Sequence, residues 1–383
     1  MLRQIKTSIP NILNSMANGK AGGEDGFQIE FAKLAHQTFI DTYCTVVTRC
    51  MTTCKLPEIF KQINVALLYK PGEDETLIDK RRPIGLAART RSFMEKILDK
   101  VLKTILNDRL PSTQFCGKVG AQCADAQLII LATQEYTQIN KLNHYILYVD
   151  FEDAFTTLDW NRLWAVLEHY GIHSSIINLI KALHDVEMKY LLWQGPSESF
   201  KQKRGVIQGS GIAPLLFNLF VAVLAKKINC SISPLDIAQD LWINQSDWAD
   251  DKAAVSLSTD DIEKVTKLLE KWNQHTGMIV KVKGSKKTVL ATTDKTAKPI
   301  QIKQKSYKES AAGKVIKQDP IPVLSTTSVT SMYKHLGKPT PAQRNRHLEV
   351  NYIKQQIKKA IGALKSVHIP ERHYSMPKSQ MQS

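Results

Sequence analysis

The sequence predicts an α+β fold in two or three subdomains. Long segments with apolar residues at helical spacing alternate irregularly with short strand-like runs. One such run, residues 145–150, is continuously apolar and ends in a carboxylate. A second carboxylate site, Trp248-Ala249-Asp250-Asp251, reads as the turn of a hairpin. At 383 residues the chain is long enough to bury a substantial core.

The chain carries 52 Lys+Arg against 36 Asp+Glu, a net charge of +16, with the excess thickening between Lys281 and Lys365. A polyanion, most simply nucleic acid, is the first partner this implies, although a basic protein without one has the same composition. The six cysteines, Cys44, Cys50, Cys54, Cys116, Cys123 and Cys230, form no Cys-x-x-Cys pair and have no His at zinc spacing. Reduced thiols in an intracellular compartment are therefore expected. Residues 1–10 are polar and basic, unlike a signal peptide. No apolar run is read as reaching the ~18 residues of a membrane span, so no membrane partner is expected.

In chain order, a short N-terminal helix breaks at residues 18–26, where four glycines fall in nine residues. Such a loop either approaches a ligand closely or is a flexible turn. Helical spacing runs from residue 27 to 54, before Pro57. Residues 63–70 form a strand carrying Lys70, a turn follows at residues 71–74, and Arg81-Arg82-Pro83-Ile84 lies on the return limb, held extended by Pro83. This hairpin either grips phosphate or is a solvated basic surface. Ser92-Phe93-Met94-Glu95 has the form of a capping box opening the next helix, and another helix covers 124–140. The apolar strand at 145–150 suits a position covered on both faces. Asp159 caps a helix closed by Gly171, and a further helix spans 174–190.

Residues 204–218 form a glycine-rich loop running into Pro214 and a helix that is apolar almost all round, hence buried. An amphipathic helix at 259–275 ends at Gly277, and short strands follow at 278–282 and 289–291. Residues 292–325 read as linker or irregular structure, 348–364 as a basic helix and 370–383 as a frayed tail.

Neighbouring carboxylates on a strand point to opposite faces, so Asp250 and Asp251 share a site only across a sharp turn. Side by side they repel unless a cation lies between them. Alone, such a pair is more simply an exposed acidic turn. With Asp150 at a strand end it becomes the donor set that two Mg²⁺ ions ~3.5–4 Å apart require.

In this order, the motifs resemble those of reverse transcriptases, and most closely the non-LTR retrotransposon (LINE-type) branch. The likeness spans roughly residues 10–365. Residues 18–26 are similar to that branch's glycine-rich loop, Arg82-Pro83-Ile84 to its fingers motif, and residues 150–160 to its first catalytic motif. Residues 204–218 match its Arg-Gly-x-x-Gln-Gly…Pro-Leu-Leu-Phe-Asn motif, the most specific of the set. Trp248 to Asp251 stands where the family has aromatic-Ala-Asp-Asp, Lys286-Lys287-Thr288 resembles a later palm motif, and residues 333–337 resemble the primer grip.

The resemblance implies a right-hand polymerase fold. Residues 1–140 would form fingers with part of the palm, 141–325 the palm with an antiparallel sheet, and 326–383 the primer-grip region, a thumb-like helix and the tail. The implied activity is RNA-directed DNA synthesis from a primer 3′-hydroxyl with dNTPs, an RNA template and a DNA primer. Two Mg²⁺ ions, with Mn²⁺ as substitute, would be held by Asp150, Asp250 and Asp251 and by the Phe151 carbonyl. Phe155 takes the steric-gate position against a ribose 2′-hydroxyl, while also suiting core packing. Lys70 and Arg82 would grip the triphosphate, Gln208 and Gly209 line the nucleotide pocket, and Lys287 assist pyrophosphate departure or remain a surface lysine.

The chain departs from the family at Thr156, where Asp is usual, and at Trp248, where Tyr or Phe is usual. Asn244 to Asp247 are polar where that strand is usually apolar, and Lys252 directly after the pair is a potential competitor for its carboxylates. Two other readings stand beside the enzyme: a decayed or domesticated RNA-binding scaffold, and an RNA-dependent RNA polymerase, which the Phe155 gate fits poorly. No upstream endonuclease or trailing RNase H-like carboxylate set is expected. Nuclear or cytoplasmic ribonucleoprotein localisation follows, with oligomeric state open.

Overall fold

The computed structural model describes residues 2–298, 300–302, 321–326, 332–336 and 338–341, apart from 21–22, 36, 71–73, 75, 79–80, 107–108, 119, 239–240 and 282–287. The chain begins with helices α1 (Leu2–Ser15), α2 (Ile29–Leu34) and α3 (Gln37–Thr53). The single helix expected at 27–54 is thus two. Ala35 adopts extended backbone (φ −69°, ψ 149°) and ends the first. Strands β1 (Gln62–Leu68) and β2 (Arg82–Ala87) form the expected hairpin, and α4 (Arg89–Leu106) and α5 (Cys123–Ile139) follow. Next come β3 (Tyr145–Val149), α6 (Ala154–Thr157), α7 (Trp160–His169), α8 (Ser174–His184), β4 (Glu187–Leu192), β5 (Gly195–Pro196) and β6 (Phe200–Lys201). The helix expected to run to residue 190 stops at α8, because the Asp185 backbone (ψ 78°) leaves the helical region and residues 187–190 pair with β1 instead.

The remaining elements are α9 (Ala213–Ser231), β7 (Leu235–Ala238), β8 (Leu241–Ile243), β9 (Gln245–Trp248), β10 (Asp251–Ser256), α10 (Thr259–Thr276), β11 (Val289–Thr292), β12 (Ile300–Ile302), β13 (Ile321–Thr326), β14 (Met332–His335) and β15 (Lys338–Pro341). Strands β12 and β13 correct the expectation of a structureless 292–325, since both join a sheet edge. Near 278–282 the strand expectation reduces to a single bridge, Phe151 opposite Val280. The basic helix at 348–364 and the tail lie outside the described residues.

Two sheets organise the chain. The first runs β2-β1-β4-β5 with β6 also on β4; the second runs β12-β13-β11-β3-β10-β9. The first sheet takes in residues 187–201, so the chain returns to it from inside the 141–325 segment expected to be palm. Every residue of β3 is buried, as a central strand covered on both faces requires. Its neighbours β10 and β11 are both antiparallel to it.

Helix α9 is the core's main support, with Leu216, Phe217, Leu219 and Phe220 all at most 1% exposed. Each such side chain contributes about 1.5–3 kcal/mol by leaving water. The helix is long and apolar enough to cross a membrane, contrary to the reading that no such run exists, but 67% of that stretch is buried inside the protein. Pro214 lies in its first turn, where a missing N–H costs nothing. Asp159 caps α7 by accepting from the Arg162 N–H, and Gly277 (φ 73°) closes α10, both as expected.

Candidate active site

Residues from both sheets converge on one cavity of about 430 Å³. Asp150 lies just past β3, and Asp250 lies in the turn between β9 and β10; the antiparallel pairing of β3 with β10 brings them to the same end of the second sheet. From the first sheet come Lys70, just beyond β1, and Arg81 and Arg82 at the start of β2. Phe151, Phe155 and Gln208 complete the set of expected residues in the wall.

The hairpin turn depends on Ala249, whose φ of 55° is left-handed and uncommon for a residue with a Cβ. That reversal gives the sharp turn an Asp-Asp site needs. Asp250 faces the cavity, whereas Asp251, the first residue of β10 and opposite Trp248, is not in its wall. The backbone after Asp150 is fixed by main-chain bonds from Lys281 N–H to the Asp150 carbonyl and from Glu152 N–H to the Ile279 carbonyl. Thr288 Oγ1 accepts the Asp150 N–H at 3.2 Å. Cys116 lies close behind the turn: burial pushes its thiol pKa up, and the Asp250 charge adds to the shift.

Phe155 stands at the cavity and in the core at once. It lines the cavity and stacks on Phe217 of α9 with ring centroids 4.6 Å apart. The following turn packs under the glycine-rich loop, where Gly205 N–H donates to the Leu158 carbonyl and Val206 N–H to the Phe155 carbonyl. A Cβ on Gly205 would come within 2.5 Å of the Thr156 carbonyl, so glycine is required there. Gln208 is held by Gly85, whose N–H donates to its carbonyl at 2.7 Å. Gly209 is not in the cavity wall. Its φ is 107°, and a Cβ there would meet the Gly85 carbonyl at 2.5 Å, so it lets the loop lie against β2.

The loop is also held from below. Glu95 Oε2 accepts the Gly211 N–H at 2.7 Å, and Oε1 accepts from Arg91 Nε at 2.8 Å. Arg91 also donates to the Phe60 and Leu183 carbonyls. Ser92 and Glu95 are therefore not a capping box: α4 starts at Arg89, and the Glu95 side chain is buried in this network. Asn218, the end of the 204–218 motif, accepts from Gln114 Nε2 at 2.9 Å and donates to the Cys116 carbonyl at 2.7 Å, fixing the loop beside the Asp250 turn.

Each polar residue of the strand before the Asp pair has a partner. Gln245 Nε2 donates to the Ala225 carbonyl, Asn244 Nδ2 to those of Asn229 and Ile232, and Ser246 Oγ to that of Ala126. The ion-pair partner of Lys252 is Asp247, not Asp250 or Asp251. The two face each other directly across β9 and β10 and are paired at 2.6 Å, both side chains at most 2% exposed. Burial raises the Asp247 carboxyl pKa, and Lys252 draws it part of the way back.

The sequence reading missed three polar wall residues: Asp153, Tyr190 and Lys281. Asp153 sits in a left-handed conformation (φ 44°) before α6, and its position three after Asp150 was the available signal. Tyr190 was hidden by the false helical continuation. Lys287 lies outside the described residues. The described residues of 18–26 are not in the wall; Gly23 packs within 2.4 Å, for a Cβ, of the Ala88 backbone, and Asp25 accepts from Thr90.

Three carboxylates and four cations thus face one space. Hard oxygen donors suit Mg²⁺ or Mn²⁺, and the cations suit phosphate oxygens. Among the described residues no three His, Cys, Asp or Glu side chains gather closely enough to hold a metal by themselves. An ion bound here would take one or two carboxylates and complete its shell with water and substrate phosphates.

Residues 69–327 match the family model described as reverse transcriptase (RNA-dependent DNA polymerase). A Drosophila melanogaster protein, probable RNA-directed DNA polymerase from transposon BS, is 25% identical over 191 residues, covering 44% of this chain and 19% of that protein. The Retrovirus-related Pol polyprotein from type-2 retrotransposable element R2DM, of the same organism, is 27% identical over 156 residues, covering 39% of this chain and 14% of that protein. The chain therefore matches less than a fifth of the length of either relative. Among solved structures, telomerase from Candida tropicalis with a fragment of telomeric RNA aligns with a TM-score of 0.46 at 14% identity, covering 73% of this chain and 48% of that one.

Proposed function

Because the chain belongs to the reverse transcriptase (RNA-dependent DNA polymerase) family, we propose that it extends a primer 3′-hydroxyl with dNTPs on an RNA template, as part of a non-LTR retrotransposon. The observation that carries this reading is the single cavity in which Asp150 and Asp250 face Lys70, Arg81 and Arg82. Lys70 and Arg82 bind the triphosphate, and Lys281 adds a cation to the same wall. Phe155, stiffened by Phe217, sets the floor under the sugar and excludes a 2′-hydroxyl. Gln208, pinned by Gly85, bounds the base side. Asp150 and Asp250 would hold the divalent ions, with Phe151 in the same wall, while Asp251 stands next in line outside the wall. When bound, the ions supply charge neutralisation for the attacking and leaving oxygens. The new bond joins the 3′-oxygen to the α-phosphorus as the bond to pyrophosphate breaks, so the protein's part is mostly positioning and charge. In this reading the fingers correspond to the first sheet with its helices and the palm to the second.

The scaffold reading drew on Lys252 and the polar strand as signs of decay, and both have buried partners that account for them. The test is primer extension on an RNA template with Mg²⁺ and dNTPs, with a parallel rNTP reaction and an Asp250→Asn control. Extension with dNTPs that falls by at least about a hundredfold in the control supports the reading. Folded wild-type protein that binds primer–template but does not extend it refutes the enzyme, and preference for rNTPs refutes the substrate.

A further inference from the structure

Trp193 is 99% exposed, and no other large apolar side chain among the described residues is so bare. It occupies the two-residue turn between β4 and β5, where Leu192 faces Gly195 and Gly195 (φ 113°) completes the reversal. Leu191 and Leu192 beside it are 43% and 44% exposed. An aromatic ring held out on a paired hairpin forgoes the burial that would normally stabilise it, and contiguous exposed apolar surface marks a binding face.

The hairpin is continuous with the candidate active site. Tyr190, three residues before Trp193 on the same strand, lines the cavity that holds Asp150 and Asp250, and it is stiffened by stacking on Phe200 at 4.9 Å. At ~3.3 Å per residue, Trp193 stands about 10 Å further along the hairpin than Tyr190, the length of about three nucleotides of a stacked strand. Strand β4 also lies beside β1, which leads to Lys70. Exposed Lys201, Lys203 and Arg204 lie on the return limb. Aromatic faces interleaved with cations are the combination that binds single-stranded nucleic acid: rings stack on bases and cations follow the phosphates.

We propose that the β4–β5 hairpin is a docking surface for the uncopied, single-stranded part of the template, with Trp193 stacking on a base about three nucleotides ahead of the one being copied. This rests on the polymerase reading, since it is the strand to be copied that must lead outward from the nucleotide cavity over the first sheet.

The test measures binding rather than synthesis. The full chain is titrated, without dNTPs, into fluorescently labelled DNA-primer/RNA-template duplexes whose 5′ template overhang grows from one to six nucleotides. Wild-type affinity is expected to rise about tenfold between overhangs of one and four nucleotides. Trp193→Ala should abolish that rise while leaving the one-nucleotide affinity unchanged, and Trp193→Phe should retain most of it. A rise that persists in Trp193→Ala, an equal weakening at every overhang length, or no rise in the wild type overturns the proposal; persistence would assign the exposed ring to a protein partner instead. Overhang-dependent binding through Trp193 by a chain that never extends the primer would separate a failure of the polymerase reading from a failure of this one.

Discussion

Arg91–Glu95 and Asp247–Lys252 are both ion pairs with side chains at most 2% exposed, and both stand beside the candidate site, yet they are joined to the molecule in different ways. Arg91 uses its planar fork to reach Glu95 and the carbonyls of Phe60 and Leu183, and Glu95 passes the connection on to the Gly211 N–H. Four chain segments meet there. Lys252 meets Asp247 alone, head to head across a hairpin, and Asp247 Oδ1 is buried without a hydrogen-bond partner. Removing two charges from water is costly, and their mutual attraction repays that only where further hydrogen bonds are satisfied. The first pair is therefore a hub that holds the 208–211 loop. The second is a local brace under the Asp250 turn.

The largest effect should come from making both pairs apolar. Arg91→Met with Glu95→Leu strands three backbone groups, and at about 1–3 kcal/mol for each buried unsatisfied group the loss should exceed about 3 kcal/mol. Asp247→Val with Lys252→Met strands no backbone group, and replacement of a simple buried pair by apolar residues is neutral or stabilising by about 1–4 kcal/mol. Urea unfolding of the two double variants beside the wild type decides it. Equal losses would mean that the network around Arg91 adds nothing.

A smaller effect, with a diagnostic pH dependence, follows from Lys252→Met alone. It leaves the Asp247 carboxylate buried without its cation, a change worth about 3 kcal/mol at neutral pH. This is the low end of the range, because a carboxyl can shed its charge by binding a proton. Burial raises the Asp247 pKa in the folded state above its unfolded value. Its protonated form is thus favoured by folding, so this contribution to stability is present at low pH and is lost as pH rises through the folded pKa. Removing the cation that opposes the shift widens that window. The deficit of Lys252→Met relative to wild type should therefore shrink as urea midpoints are measured from pH 7.5 down to pH 5. A deficit that grows with acid would place the charge elsewhere.

The same two pairs show how far the sequence can be read. Local features were legible: the buried strand β3, the Asp159 and Gly277 caps, α9, and the loop-helix motif ending at Asn218. Asp150 and Asp250 were found because a strand-end carboxylate and a turn carboxylate are each visible within a few residues. What failed was long-range. Glu95 three after Ser92 has the same spelling whether it caps a helix or, as here, accepts from Gly211, 116 residues away. Asn244 to Ser246 looked like drift because the carbonyls that satisfy them belong to α5, α9 and the residues just after α9. Lys252 was suspected of binding its neighbours in sequence, but its partner is its neighbour in register.

The smallest effect tests whether the brace holds the turn against strain. Ala249 at φ 55° is in a region that costs an L-residue roughly 1–2 kcal/mol. Glycine there removes the cost but adds freedom to the unfolded chain, worth about 0.4–1 kcal/mol. Ala249→Gly should therefore be more stable by at most about 1.5 kcal/mol in urea. Primer extension then distinguishes two uses of the turn. If Lys252–Asp247 and the flanking β pairing alone fix Asp250, kcat stays at the wild-type value. If the Cβ of Ala249 also restricts the turn, the more stable variant is slower, and combining it with Asp247→Val/Lys252→Met slows it by more than the product of the separate effects, because both changes loosen the same carboxylate.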